Sequence, residues 1–437
     1  MAFKMDSFNM DNIYTVASNA TAWSSQKLQK LPPAPPSWTP YIATGVVGYI
    51  GLCSILRFRN LRKKQAQLKF TDSESLSRMT IADAQNIVSM SLEKEFPFMY
   101  EFSLRIALFK TYAVEGVAQL LAAHSDLSKR DQSAKRYEDT AVLYTCFASF
   151  NPSSDEFIKA ISRMNFLHNP YIKAGKITNG DLLYVLWASM AEPVKFMQLY
   201  EWRAFSDMEH AALGTLWLHV GRLMGIDYKK ELGKDKWANG KDFMDELTEW
   251  ARGYEGIHMK PSPEVRLLGD VLMELLLSVY PKFTRSTVRQ VSLVLMTEQM
   301  RWAFGLPEPG IGTRAFVNTV FLLRKLVIRY LCLPRMSAVK YLSKPNPKTG
   351  RMHHYPYLKE PWYSPKTVWS RWGPIPMISW VLGLPRPGDQ GQEFKPDGFL
   401  FEDIGPRNRV GKGLDEMGKI QKEIRNVPVS CPFSSKV

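Results

Sequence analysis

The sequence predicts an all-α protein carried on one N-terminal transmembrane helix. Apolar residues recur at helical spacing through most of 71–333, and few stretches alternate with period two. One uncharged run, Ile42–Leu56, is bracketed by Trp38 and Tyr41 before it and by basic residues after it. The 437 residues suffice for a self-sufficient core.

Residues 1–39 are polar and end in the proline run Leu31–Pro36, which predicts a disordered tail. They contain the acceptor sequon Asn19-Ala20-Thr21. Residues 40–58 form the predicted span, and as a helix they rise about 27–29 Å, which suits the thinner endoplasmic-reticulum bilayer. The start some forty residues into the chain, behind prolines, argues against a signal peptide, and a buried core helix is the remaining alternative. Arg57, Arg59, Arg62, Lys63 and Lys64 follow the span, so the C-terminal side is expected in the cytosol and the tail in the lumen, where Asn19 can be glycosylated.

Residues 59–344 are the predicted cytosolic helical domain. Thr80 with Asp83 forms a near capping box ahead of a helix through Val88. A second run breaks at Pro97 and continues through Leu121. Lys135–Phe150 and Glu156–Phe166 are further helices, the latter running into His168-Asn169-Pro170, where the residue before proline is disfavoured in α geometry. Asn179 opens a helix with Pro193 as a kink. Asp207 caps the next, which ends at Gly225. Lys241–Tyr254, Pro263–Val279, Phe283–Trp302 and Arg314–Leu333 complete the set. Residues 345–437 are basic, rich in Pro and Gly and without period, and are expected to be irregular, wrapped on the domain or partly disordered.

The net charge of +15 fits a solvated or lipid-facing surface. No interleaving of basic and aromatic residues in a Gly-rich pattern supports nucleic acid as a partner. The four cysteines lie too far apart for a zinc pattern or a disulfide framework and suit a reducing compartment. HExxH, GxSxG, phosphate-binding glycine loops and a GxGxxG behind a strand are all absent, which removes the usual signatures of hydrolases, kinases and nicotinamide dehydrogenases.

The histidines therefore carry most of the remaining chemistry. His210 and His219 are nine residues apart on one predicted helix, hence on opposite faces, and cannot share a metal. His258, His353 and His354 are expected at the surface, and His124 at a helix end as a cap for the last carbonyls. His168 ends an amphipathic helix next to an apolar run. A histidine in that setting is more often a hydrogen-bonded core residue than a ligand. To act as a ligand it must face a cavity. Arg136 and Thr140 share a helix face and could orient dioxygen, or Arg136 could simply pair with Glu138 or Asp139. Glu115, in an apolar stretch, is either a carboxyl of raised pKa or a partner of Lys110 or Arg105.

Taken in order, GVAQLLAAHS, the R-x-x-x-T of Arg136–Thr140, the helix of Arg163–His168 and GDLLYVLW resemble a catalytic domain known from two groups. These are the bacterial latex-clearing proteins, or rubber oxygenases, and fungal membrane-bound oxygenases of meroterpenoid biosynthesis, typified by the endoplasmic-reticulum oxygenase of the mycophenolic acid pathway. The resemblance covers about Asp72–Leu333 and implies a haem b protein that uses dioxygen to cleave a C=C bond of an isoprenoid chain. By motif position it makes His168 the proximal iron ligand, Arg136 and Thr140 the distal pair, and Glu115 an acid/base aligned across a variable segment. Arg163 lies five residues before the histidine, about 140° around the helix, which suits a haem propionate. Asp139 stands where the rubber-cleaving branch has a basic residue. A prenylated substrate that partitions into membrane lipid fits a bilayer-anchored enzyme. The competing readings are a non-catalytic membrane-anchored scaffold or lipid carrier, and a non-haem metal enzyme.

Overall fold

Capping chemistry places the helix starts. In the computed structural model, which describes residues 37–433, Thr80 accepts from the Asp83 amide and Asp83 accepts in return from the Thr80 amide. Thr178 and Asp181 do the same at the next major start. Asn19 and all but the last residues of the 1–39 tail lie outside the described residues.

Contacts divide the chain at Leu52/Cys53. The predicted span lies in α1, Thr39–Leu56, which exposes Ile42, Val47 and Ile55 and carries no charged residue. It is the one helix among the described residues that, with its continuation to Leu68, is long and apolar enough to cross a membrane unbroken.

The body from Cys53 onward is helical: α2 (Arg59–Leu68), α3 (Ile81–Met90), α4 (Pro97–Tyr112), α5 (Glu115–His124), α6 (Ser133–Ser149), α7 (Asp155–Lys173), α8 (Asn179–Tyr200) and α9 (Asp207–Leu223). After these come α10 (Gly240–His258), α11 (Pro263–Ser278), α12 (Arg285–Leu295), α13 (Glu298–Phe304) and α14 (Ile311–Leu331), with α15 (Val368–Trp372), α16 (Pro374–Val381) and α17 (Leu414–Arg425) in the C-terminal region. Among the described residues there is no strand, only the isolated bridges Leu342–His354 and Met352–Phe399. α8 packs against α4 and α10, and α9 against α3 and α10. Where α9 crosses α10, backbones touch: a Cβ on Gly214 would sit 1.9 Å from the Gly240 carbonyl oxygen. Glycine is the only residue this crossing admits at either position.

Several boundaries differ from the sequence reading. α7 does not stop before Pro170 but runs through it to Lys173. The proline removes a single ladder donor, and buried neighbours such as Met164 and Phe166 hold the helix across the gap. His168 is therefore inside a helix rather than at its end. α8 likewise continues through Pro193 to Tyr200. Ser206, not Asp207, caps α9. The expected helix 283–302 is broken at Met296, where the backbone is extended and Thr297 caps a new helix.

The 345–433 stretch is largely irregular, yet it feeds Tyr363, Phe399, Ile404 and Met417 into the same core as the helices. Arg163 is the main fastener. Fully buried on α7, it donates Nε to the Ile404 carbonyl at 2.7 Å, Nη1 to that of Lys412 at 2.7 Å, and Nη2 to those of Glu402 and Arg409 at 3.0 and 2.9 Å. Four carbonyls of one loop thus share one guanidinium, whose rigid fork suits such a task. Gly405, at φ 125°, makes the turn at the centre of that loop. Replacing Arg163 with methionine leaves those carbonyls without charged donors. We expect a loss of about 3–5 kcal/mol in stability and new tryptic cleavage at Arg407, Arg409 or Lys412, read by thermal unfolding and limited proteolysis.

Candidate functional site

A cavity of about 250 Å3 lies inside the helical body, walled by α4 to α9 and by the C-terminal loop. Its surface is mostly apolar, with Leu108, Leu143, Phe147, Leu186 and Trp217 among the lining side chains. α4 and α5 make a 91° turn at Ala113–Val114, which swings α5 across to form one wall.

α7 presents His168 to this cavity. The imidazole is half-buried by surface area because one side looks into the void, while bulk solvent is remote. Burial, helped by the positive Arg136, pulls its pKa down to about 4, so the ring is neutral at physiological pH. Nδ1 is buried and has no hydrogen-bond partner. The common fate of a buried histidine, a satisfied place in the core, is not realised here. An orphaned ring nitrogen of this kind costs about 1–3 kcal/mol.

Arg136 and Thr140, four residues apart on α6, line the same cavity. Arg136 donates Nη1 to Asp139 at 3.1 Å, and its Nε is buried without a partner. Thr140 donates its hydroxyl to the Arg136 carbonyl at 3.0 Å, so the lone pairs of Oγ1 remain for a ligand. His168, Arg136 and Thr140 are thus brought together.

Glu115 and Arg163 are not on the cavity wall. Glu115 is the first residue of α5, half-buried, while its neighbours Gly116 and Val117 do reach the cavity. Neither expected cation pairs with it: Lys110 is held by Glu192 and Glu255, and Arg105 by Glu101. Arg163, assigned from the sequence to a cofactor, is consumed by the loop carbonyls that it binds.

Asp139 stood in the sequence as a departure from the pattern and as one of two possible partners for Arg136, and the structure makes that pair. Buried to 1% exposure, it accepts from Lys135 at 2.8 Å, Arg136 at 3.1 Å, the Gly405 amide at 3.1 Å and the Tyr363 hydroxyl at 2.7 Å. Tyr363 meets it from a left-handed backbone conformation, φ 63°. The loop also places Pro406, Asn408 and Arg409 on the cavity wall, and the Arg409 guanidinium lies 5.7 Å from the centre of the Phe166 ring. No periodicity marks these residues, which is why sequence spacing could not find them.

The other histidines sort by packing. His219 is buried and stacks on Phe157, and His210 sits edge-on to Phe205. His258 ends α10 on the ring of Tyr254, still exposed. His124 does not cap carbonyls; its Nε2 lies 2.7 Å from Lys176 Nζ, and both exposed residues line the cavity, which marks its rim. His354, expected at the surface, is buried beside Glu138, 3.8 Å from Nδ1 to Oε2, in a chamber of about 60 Å3 that shares Thr140 and Tyr144 with the main cavity.

An all-helical body thus encloses an apolar cavity lined by an imidazole and a guanidinium that each keep one ring or chain nitrogen without a hydrogen-bond partner among the described residues. Comparison gives this body a family. Residues 95–326 match the domain described as ER-bound oxygenase mpaB/B′/Rubber oxygenase, catalytic domain, and the chain belongs to that family. It is 34% identical over 413 residues to the ER-bound oxygenase mpaB′ of Penicillium brevicompactum, covering 94% of this chain and 98% of the relative. With ER-bound oxygenase mpaB of the same organism it shares 32% over 384 residues, 87% and 92% of the two chains. With mpaB of Penicillium roqueforti it shares 33% over 269 residues, 61% and 90%.

Burial raises the Glu138 carboxyl from its ordinary 4.5 to about 8, against the opposing pull of the Leu358 amide and Arg105. The folded protein therefore holds this proton more tightly than the unfolded chain. Its contribution to stability is complete below pH 4.5 and fades as pH rises toward 8. Glu138→Gln should remove that dependence, so the stability of wild type relative to the variant falls between pH 5 and pH 8 in parallel denaturation curves.

Proposed function

We propose that this chain is a membrane-anchored, haem-dependent oxygenase that uses dioxygen to cleave a C=C bond in the isoprenoid side chain of a prenylated small molecule, in meroterpenoid biosynthesis. The observation that carries the reading is His168, a neutral imidazole without a hydrogen bond on the wall of an apolar cavity. Family membership supports the oxygenase class. Its relatives' names support residence at the endoplasmic reticulum. α1 would be the single span, and the basic residues that follow it put the N-terminus in the lumen and the body in the cytosol.

The residues fit haem b better than a bare ion. Among the described residues no three His, Cys, Asp or Glu side chains gather, so one imidazole supplies the protein's share and a macrocycle the rest. His168 would hold the iron. A bound haem supplies the redox chemistry on dioxygen. Arg136 offers its free Nε–H to an oxygen atom, while Asp139 holds the guanidinium in place. Thr140, its hydroxyl proton turned back to the helix, offers a lone pair instead. The apolar wall accommodates a prenyl chain and excludes water. Arg409 on the wall takes the place first given to Arg163 as a partner for a propionate or other carboxylate. Arg163 acts through the loop it holds, and Glu115 has no role in this scheme. A lipid carrier would also use an apolar cavity; membership of an oxygenase family favours the enzyme.

Purified full-length protein in detergent should show a Soret band with about one haem per chain. His168→Ala should abolish it without loss of the fold, because no hydrogen bond is removed. Arg136→Leu should keep the band and lower turnover of a prenylated phenol by about 10²–10³-fold. A colourless, folded wild-type protein that takes up no haemin would overturn the reading.

A further inference from the structure

A second feature of the body faces outward. α14 buries one of its side chains, Val317, and presents Phe316 at 61% and Leu323 at 56% exposure among a run of other apolar residues. α15 and α16 bury none of theirs: Trp369 is 75% exposed, Ile375 75% and Val381 74%. Leaving this much apolar surface in water is costly, at about 25 cal/mol per Å2, and patches of this kind mark docking surfaces.

The charge pattern states what docks. α14 contains Arg314, Arg324, Lys325 and Arg329 and no acidic residue, and the stretch 366–388 that holds α15 and α16 contains Lys366, Arg371 and Arg386. Arg314 pairs with Glu308, Arg324 with Glu201, and Arg371 and Arg386 with Asp389, which leaves Lys325, Arg329 and Lys366 as the cations without a carboxylate partner among the described residues. Four cations disqualify α14 as a membrane span, but cations beside an apolar face define a helix lying in the plane of an anionic interface. Trp369, Trp372 and Trp380 add the residue type that settles at lipid headgroups.

Geometry within the body places the end of α14 beside the residues that follow α1. Arg57, the residue after α1, donates to the Leu333 carbonyl at 3.1 Å. The Arg329 guanidinium lies 4.3 Å from the centre of the Phe58 ring. The C-terminal end of α14 therefore meets the chain where it leaves the span.

We propose that α14 is a membrane-docking helix that inserts apolar side chains into the anionic leaflet at the end of α1, and that the exposed α15–α16 pair is a second docking element. The proposal rests on the reading of α1 as a span and is independent of the haem. Docking holds the helical body against the bilayer, where an apolar substrate is concentrated.

The test uses full-length protein with Cys332 and Cys431 replaced by serine, reconstituted into phosphatidylcholine–phosphatidylserine vesicles that contain a doxyl-lipid quencher. A fluorophore is placed by Val47→Cys, Phe316→Cys, Leu323→Cys, Ile375→Cys or, as a control on exposed α10, Ile257→Cys. We expect quenching at 316, 323 and 375 several-fold above that at 257, and weaker at 316 and 323 when phosphatidylserine is omitted. Quenching at 47 with none above the control at 316, 323 and 375 would overturn the docking surface and leave the span intact. Shielding of those sites from aqueous iodide without lipid quenching would instead assign the face to a second copy or another protein. Absence of quenching at 47 would remove the span and this proposal together, whatever the haem content of the protein.

Discussion

The Asp139 carboxylate is the interaction on which the cavity depends. It is an ion buried in a protein, tolerable because Lys135, Arg136, a tyrosine hydroxyl and a backbone amide surround it. Two of these partners come from the helix that carries the cavity's polar residues, and two come from the C-terminal region. A single group thus aims Arg136 and fastens the last wall of the cavity. Arg163 performs the complementary task, satisfying the loop's carbonyls where Asp139 satisfies one of its amides. Chemistry and closure are joined at a distance of one side chain.

The cavity itself is under-satisfied. His168 Nδ1 and Arg136 Nε are buried polar atoms with no hydrogen-bond partner among the described residues, a condition shared by Nδ1 of His210, His353 and His354 and by Nε of Arg57, Arg105, Arg203 and Arg301. What sets the first two apart is that their residues line the main cavity together. The pairing matters: one is a neutral donor–acceptor ring, the other a fixed cation, and both lie on one cavity wall of otherwise apolar character. A carrier of greasy molecules needs the second property alone.

The helical order and the span were legible because each rests on local spacing. Spacing alone said of the site only that Arg136 and Thr140 share a face; that His168 belongs with them came from the resemblance, and the three do line one cavity. Arg163 was misread because its partners are carbonyls some 240 residues away, and no spacing rule reports on backbone acceptors in an irregular loop. Asp139 looked like an anomaly for the same reason: its meaning lies in Tyr363 and Gly405. His354 was placed at the surface by its polar, aperiodic neighbours, whereas packing against α6 decides its burial. Pro170 misled in the opposite sense, since a local preference for extended backbone before proline was overridden by tertiary packing on both sides of it.

That proline has a mechanical consequence. The rung that would link the Phe166 carbonyl to residue 170 does not exist, because proline carries no amide hydrogen. His168 lies within that missing rung. A helix is stiff because tilting any peptide breaks a hydrogen bond, and here one of those bonds is absent before any tilt occurs. α7 therefore has its weakest rung at the turn that carries His168, where a small backbone rotation costs less than in the turns above and below.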